Sequence, residues 1–181
     1  MNSCMKLLTV AVLSAAGMSV ASVASAATQG TLSITGNVVD KTCEVDAAQL
    51  TRTIDLGNIS QESVKTATQN ASVASSSLVF GVTGCPASAT GVGIKFDYTA
   101  DATNAQYLAN TGNGKGVLLG ITDDADALVS SGGVVNSVNL DTKTGNADVK
   151  AKVHAYRTAA TDKDIVAGNI ESTATVTVEM K

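Results

Sequence analysis

The chain has 181 residues, a formal net charge of −4 and an aromatic content of 3%, made up of three Tyr, two Phe and no Trp. Its basic residues are scattered, which argues against a nucleic-acid surface, and the shortage of Trp and Tyr disfavours a sugar- or receptor-binding face. Sixteen Gly, one Pro and many small or β-branched residues point to an all-β sandwich of short strands.

The first six residues carry one positive charge, Lys6, and the run from Leu7 to Val23 carries none. Ala24-Ser25-Ala26 follows as an A-x-A processing site, so residues 1–26 read as a secretory signal peptide cut before Ala27. The strongly apolar part, Leu7 to Val12, is too short to cross ~30 Å of hydrocarbon as a helix. Cys4 precedes the apolar run, which argues against a lipid-modified cysteine at the processing site. The remaining residues have the size of one domain, and loss of Lys6 takes the charge from −4 to −5.

Gly30 to Val38 alternates strictly: Gly30, Leu32, Ile34, Gly36 and Val38 share one face, and Thr31, Ser33, Thr35 and Asn37 the other. That is the pattern of a half-buried strand. Val38 to Val45 continues it through Cys43. Cys43 and Cys85 are the cysteines left after processing, and in an exported protein they predict one disulfide. A metal site made from them and His154 is the rival reading, and it lacks a ligand pair with metal-site spacing.

Thr53 to Ile59 is a further strand candidate, with Ile54, Leu56 and Ile59 inward. Gln61 to Ser77 is polar and reads as a loop with a helical turn around Glu62 to Thr68. Ser77 to Cys85 places Leu78, Phe80 and Val82 on one face and stops before Pro86, which cannot donate to a ladder. Gly91 to Thr99 alternates Val92, Ile94, Phe96 and Tyr98. Ala105 to Ala109 and Val117 to Thr122 are shorter candidates joined by a hairpin connection at Asn110 to Gly116. Ala127 to Val135 contains a Ser-Ser-Gly-Gly turn. Ala147 to Arg157 alternates Val149, Val153 and Ala155 against Lys150, Lys152, His154 and Tyr156, and Thr173 to Lys181 alternates Ala174, Val176, Val178 and Met180.

Three motifs invite a chemical reading. Thr111 to Gly116 has the glycine content of a phosphate loop but lacks the Lys-Ser/Thr ending and the following helix. Asp123, Asp124 and Asp126 evoke a calcium loop, yet the fifth position falls on Leu128 and no Glu closes it. His154, the one histidine, sits on the polar face of its strand and reads as solvated or subunit-facing. No Ser has the context of a strained nucleophile, and no carboxylate pair lies in an apolar setting. The chain reads as a non-enzyme without cofactor, metal or small-molecule substrate.

The ordered set of segments Gly30-Thr31-Leu32-Ser33-Ile34-Thr35-Gly36-Asn37-Val38-Val39, Cys43-Glu44-Val45, Ile54-Asp55-Leu56-Gly57, Leu78 to Cys85, Gly116 to Asp123 and the alternating C-terminal strand resembles the structural subunits of chaperone-usher fimbriae, most closely the type 1 major-subunit group. Gly168, fourteenth from the end, stands where that family's assembly motif has a glycine.

The resemblance implies an incomplete immunoglobulin-like sandwich completed by a donor strand from another subunit or a chaperone. It divides the chain into a signal (1–26), a donor-strand extension (27–39) and a pilin domain (40–181). Gly30, Leu32, Ile34, Gly36 and Val38 would enter the groove of another copy, with Gly36 at a pocket too shallow for a side chain. Gly168, Ala174, Val176, Val178, Met180 and Lys181 would form the acceptor groove and the surface a chaperone recognises. Met180 departs from the family's usual penultimate tyrosine. The implied partners are other copies, related pilin subunits, a periplasmic chaperone and an outer-membrane usher, on a route through the periplasm to the cell surface. A minor or adaptor subunit belongs to the same class, and a monomeric secreted sandwich that binds a ligand is the reading from a different class.

Overall fold

Alternation of β-branched and polar residues becomes ladder pairing in the computed structural model, which describes residues 42–137 and 139–181. The signal peptide and the whole Gly30–Val38 stretch lie outside the described residues. In chain order the elements are β1 (Glu44–Val45), α1 (Ala47–Leu50), α2 (Gln61–Thr66), β2 (Ser72–Thr83), β3 (Val92–Tyr98), β4 (Val117–Asp123), β5 (Gly133–Asn136), β6 (Leu140–Asp141), β7 (Asn146–Arg157), a 3-10 turn at Asp162–Asp164, and β8 (Ala174–Met180).

The strands make two antiparallel sheets. One has the order β1-β2-β7-β4, with β6 also on β7, and the other has the order β5-β3-β8. They stack through their apolar faces. Leu78, Phe80 and Val82 of β2 and Val149 and Ala151 of β7 meet Val92, Ile94 and Phe96 of β3 in one core. The two phenylalanines face each other across the sheets, edge to face at 6.0 Å. A second cluster of Val64, Val117, Ala155, Ala159 and Ile165 continues the core. The predicted disulfide is present: Cys43 and Cys85 are bonded over a separation of 42 residues, at the end where β1 meets β2.

Several sequence expectations need correction. β2 begins at Ser72, earlier than its apolar run, because Ala74, Ser75 and Ser76 find ladder partners in Ala155, His154 and Val153, and pairing outweighs the weak strand preference of Ala and Ser. Residues 47–50 form a helical turn capped by Asp46, whose carboxylate accepts the Ala48 N–H at 2.8 Å. Ala105 to Ala109 contributes only bridges, Leu108 to Ala100 and to Leu119. Of Ala127 to Val135, ladder pairing in β5 begins at Gly133, after a turn in which Gly132 adopts φ +79°.

His154 is the clearest reversal, since it is buried. Gly120 pairs with it across β4 and β7, and the space above that glycine is filled by Leu128, Tyr107 and Tyr156. The face that alternation assigns to solvent is therefore roofed at this end. His154 Nδ1 lies 2.9 Å from Ser72 Oγ, and its ring stacks on Tyr156 at 5.4 Å. Nε2 is 3.3 Å from Asp126 Oδ1, within ion-pair range but outside hydrogen-bond geometry. Burial pushes the Tyr107 and Tyr156 phenols above their ordinary range.

Candidate functional site

Along β8 the core is incompletely covered. The register pairs Val92 with Met180, Ile94 with Val178 and Phe96 with Val176. The β3 members are 0–1% exposed, whereas Val176 and Val178 are only part-buried and Met180 is 45% exposed. Lys181 exchanges both main-chain bonds with Gly91, its N–H donating to Gly91 O at 2.9 Å and its carbonyl oxygen accepting the Gly91 N–H at 3.3 Å. Antiparallel pairing alternates from that point, so Met180, Val178, Val176 and Ala174 direct their own N–H and C=O groups away from β3. Among the described residues that edge of β8 has no strand partner. The residues with inward apolar side chains are thus the ones with outward main-chain groups.

A second segment borders the same core. Residues 53–59, expected as a strand, join no ladder among the described residues, where their backbone and that of Arg52 have no main-chain partner. The Gly57 N–H bonds instead to the Asp55 carboxylate at 2.7 Å, a local turn that uses φ +69° at Gly57. Side chains in this region satisfy part of the neighbouring strand edge. Gln49 Oε1 accepts the Gly81 N–H at 2.7 Å, and Arg52 donates to Val79 O while its guanidinium sits 4.6 Å from the Phe80 ring centroid. Ile54 packs on the main core with Val176 and Val178, and Leu56 and Ile59 pack on the second cluster with Ile170. The segment and β8 therefore flank one apolar region, and among the described residues each has an edge without a strand partner.

Where β8 is approached, Ile59, Val64, Val117, Ile165, Val166 and Ile170 line a cavity of about 100 Å³. Val166 is 48% exposed at its rim.

Gly168 lines this cavity, and a Cβ there would fall on Asn113 Oδ1 and the Gly114 nitrogen. The reason is a clasp between 110–115 and 166–171. Lys115 and Val166 exchange both main-chain bonds, the Gly114 N–H donates to Asn169 O, and the Thr111 N–H donates to Glu171 O. Asn113 Oδ1 accepts the Asn169 N–H at 2.7 Å, and Asn110 Oδ1 accepts the Glu171 N–H at 2.9 Å. The glycine-rich loop is thus a brace on the chain entering β8, made close by Gly112, Gly114 and Gly168.

The structure brings Val176, Val178 and Met180 together on the open strand and places Ala174 and Lys181 at its ends. Gly168 lies before the strand. The Asp123 to Asp126 loop is organised by its own bonds. Asp123 accepts the Ala125 and Ala127 N–H groups, and Asp126 is paired with Lys152. Sequence reasoning missed Arg157, which is buried, and Val64 and Ile165 of the cavity wall. Arg157 falls in phase with Val149, Ala151, Val153 and Ala155 on the inward face of β7, and a cation in phase with core residues was the available signal.

The fimbrial protein family profile matches residues 32–181. No curated protein sequence matches the chain. Among solved structures, a chaperone-usher pilus studied for the basis of rod uncoiling superposes with a TM-score of 0.62 at 15% identity, covering 84% of this chain and 96% of the other. The P pilus rod subunit PapA superposes with a TM-score of 0.61 at 15% identity, covering 78% and 100%. The CupB6 tip adhesin from Pseudomonas aeruginosa matches over 38% of its own length and 77% of this chain, with a TM-score of 0.60 at 18% identity. These likenesses make the fold an immunoglobulin-like pilin sandwich. With most of its length inside the profile, the chain belongs to the fimbrial protein family and is a structural, non-enzymatic fimbrial subunit of the cell surface.

Proposed function

We propose that this subunit polymerises head to tail by lending its N-terminal strand. Residues 1–26 direct export and are removed, residues 27–39 form the extension, and residues 40–181 form the pilin domain. The extension of one copy enters the groove between β8 and residues 52–59 of another, placing Leu32, Ile34, Gly36 and Val38 against successive positions of the core. The observation that carries this reading is the coincidence on Val176, Val178 and Met180 of incompletely buried apolar side chains with outward main-chain groups. Strand addition needs both: the edge supplies main-chain bonds and the pockets supply specificity, a mode for which the chaperone–pilin complex is itself a standard illustration.

Burial of Leu32, Ile34 and Val38 would contribute on the order of 4.5 to 9 kcal/mol, at about 1.5 to 3 each. The contact is heterologous and does not close, which generates an open filament. Before assembly a periplasmic chaperone fills the groove and engages the Lys181 end of β8, and exchange takes place at an outer-membrane usher. Deleting Ala27 to Asn37 tests the reading. A chaperone-bound subunit absent from filaments is expected, and long filaments built from the truncated subunit would overturn it.

A further inference from the structure

We infer that Arg157 is a positioning residue for strand exchange: it holds the two walls of the small cavity beside β8 in the spacing that admits one donor side chain. This rests on the strand-lending reading above. Arg157 is 7% exposed at the end of β7. Its Nη1 donates to the carbonyl oxygens of Val64, Lys65 and Ala67 at the C-terminal end of α2, its Nε to Ala159 O at 3.3 Å, and its Nη2 pairs with Asp162 at 2.9 Å. One planar fork thus serves two elements that are distant in sequence.

Those elements are the cavity's walls. Val64 of α2 lines it, and so does Ile165, which follows the Asp162–Asp164 turn. A further tie joins them directly, Gln61 Nε2 donating to Ile165 O at 3.0 Å. α2 has only six residues, and its last carbonyls need an outside donor, which Arg157 supplies. A buried guanidinium is tolerated when its donors are all engaged, and replacing it with Lys leaves several acceptors unpaired because an ammonium lacks the fork. A cavity of about 100 Å³ discriminates among apolar side chains by size. Changing the wall spacing therefore alters the fit of the residue that enters it and leaves the rest of the groove along β8 as it was.

The test is a double-mutant cycle on the oxidised exported chain, using labelled synthetic peptides of residues 28–40. The parent peptide is compared with three carrying Leu32→Ala, Ile34→Ala or Val38→Ala, each bound to the parent chain and to Arg157→Lys. The inference predicts that Arg157→Lys weakens the parent peptide roughly tenfold and that this loss is coupled to one donor position only, nearly vanishing for that peptide. Equal weakening of all four peptides, or none, overturns it and leaves Arg157 as a general fold residue. If Arg157→Lys does not fold, Asp162→Asn with Gln61→Ala carries the same comparison, since both leave the guanidinium in place. Failure of the parent peptide to bind the parent chain would instead sink the strand-lending reading, and this inference with it.

Discussion

Ile94 and Val178 face each other across β3 and β8, yet Ile94 has no exposed surface and Val178 is only part-buried. Paired residues on one face of a sheet differ in exposure where one lies on an edge strand, as Val178 does among the described residues. Ile94→Ala should therefore destabilise the subunit by about 2 to 5 kcal/mol, as a cavity in a closed core does. Val178→Ala should cost the subunit alone distinctly less and should weaken assembly instead. Denaturant unfolding of both variants, set beside their yield of filaments, checks this contrast.

Gly168→Ala should be destabilising in spite of its small volume, because the added carbon would fall on Asn113 Oδ1 and the Gly114 nitrogen. Overpacking of this kind costs about 1 to 3 kcal/mol. The effect should be visible as faster hydrogen exchange at Asn169 and Glu171, whose N–H groups bond to the Asn113 and Asn110 side chains.

The main strands were legible because their periodicity is local. Val149, Val153 and Ala155 alternate with polar neighbours, and β7 forms over nearly the predicted span. Residues whose role depends on a distant partner were not legible in that way. Thr53 to Ile59 has the composition of a strand, but strandhood requires a neighbour, and among the described residues its backbone finds none. His154 looked solvated because alternation cannot foresee Tyr107 and Leu128 arriving over Gly120. The Asn110 to Gly116 loop reads as a turn from its composition, while its contact with 168–171, across more than fifty residues, carries no local signature.

The loop after β4 should loosen at both extremes of pH. The Lys152 ammonium, 2.8 Å away, holds Asp126 below the ordinary carboxylate value near 3.8, with His154 adding a smaller effect. The same bond raises Lys152 above 10.5. A depressed carboxylate stabilises the fold above its unfolded pKa and stops doing so as pH falls through the folded value. A raised ammonium stabilises below its unfolded pKa and stops as pH rises through the folded one. The latch thus holds between roughly pH 4 and pH 10.5. Because the pair is exposed, Asp126→Asn should leave global melting almost unchanged while raising amide exchange at residues 125–128.

Removing the disulfide should be costly. Cys43→Ser with Cys85→Ser releases a loop of 42 residues, worth roughly 4 kcal/mol on the chain-entropy account. It also frees Cys85, whose N–H donates to Gly145 O in the turn before β7. Urea unfolding of the oxidised and substituted chains should show a lower midpoint for the latter, and an unchanged midpoint would count against a stabilising role.

The donor assignment of Gly36 makes a separate demand. Gly36→Leu should be captured by the chaperone and should fail to enter filaments, as scored by chaperone co-purification and by electron microscopy. Normal filament yield would remove Gly36 from the groove.

The most direct measurement of strand lending is cross-linking in filaments assembled from equal parts of isotopically light and heavy subunits, each with a photoreactive residue at Ile34. The account predicts mixed light–heavy cross-links from position 34 to residues 52–59 or to β8, at the frequency expected for neighbouring copies. Cross-links confined to single copies, or directed to the outer face of the β2–β7 sheet, would contradict it.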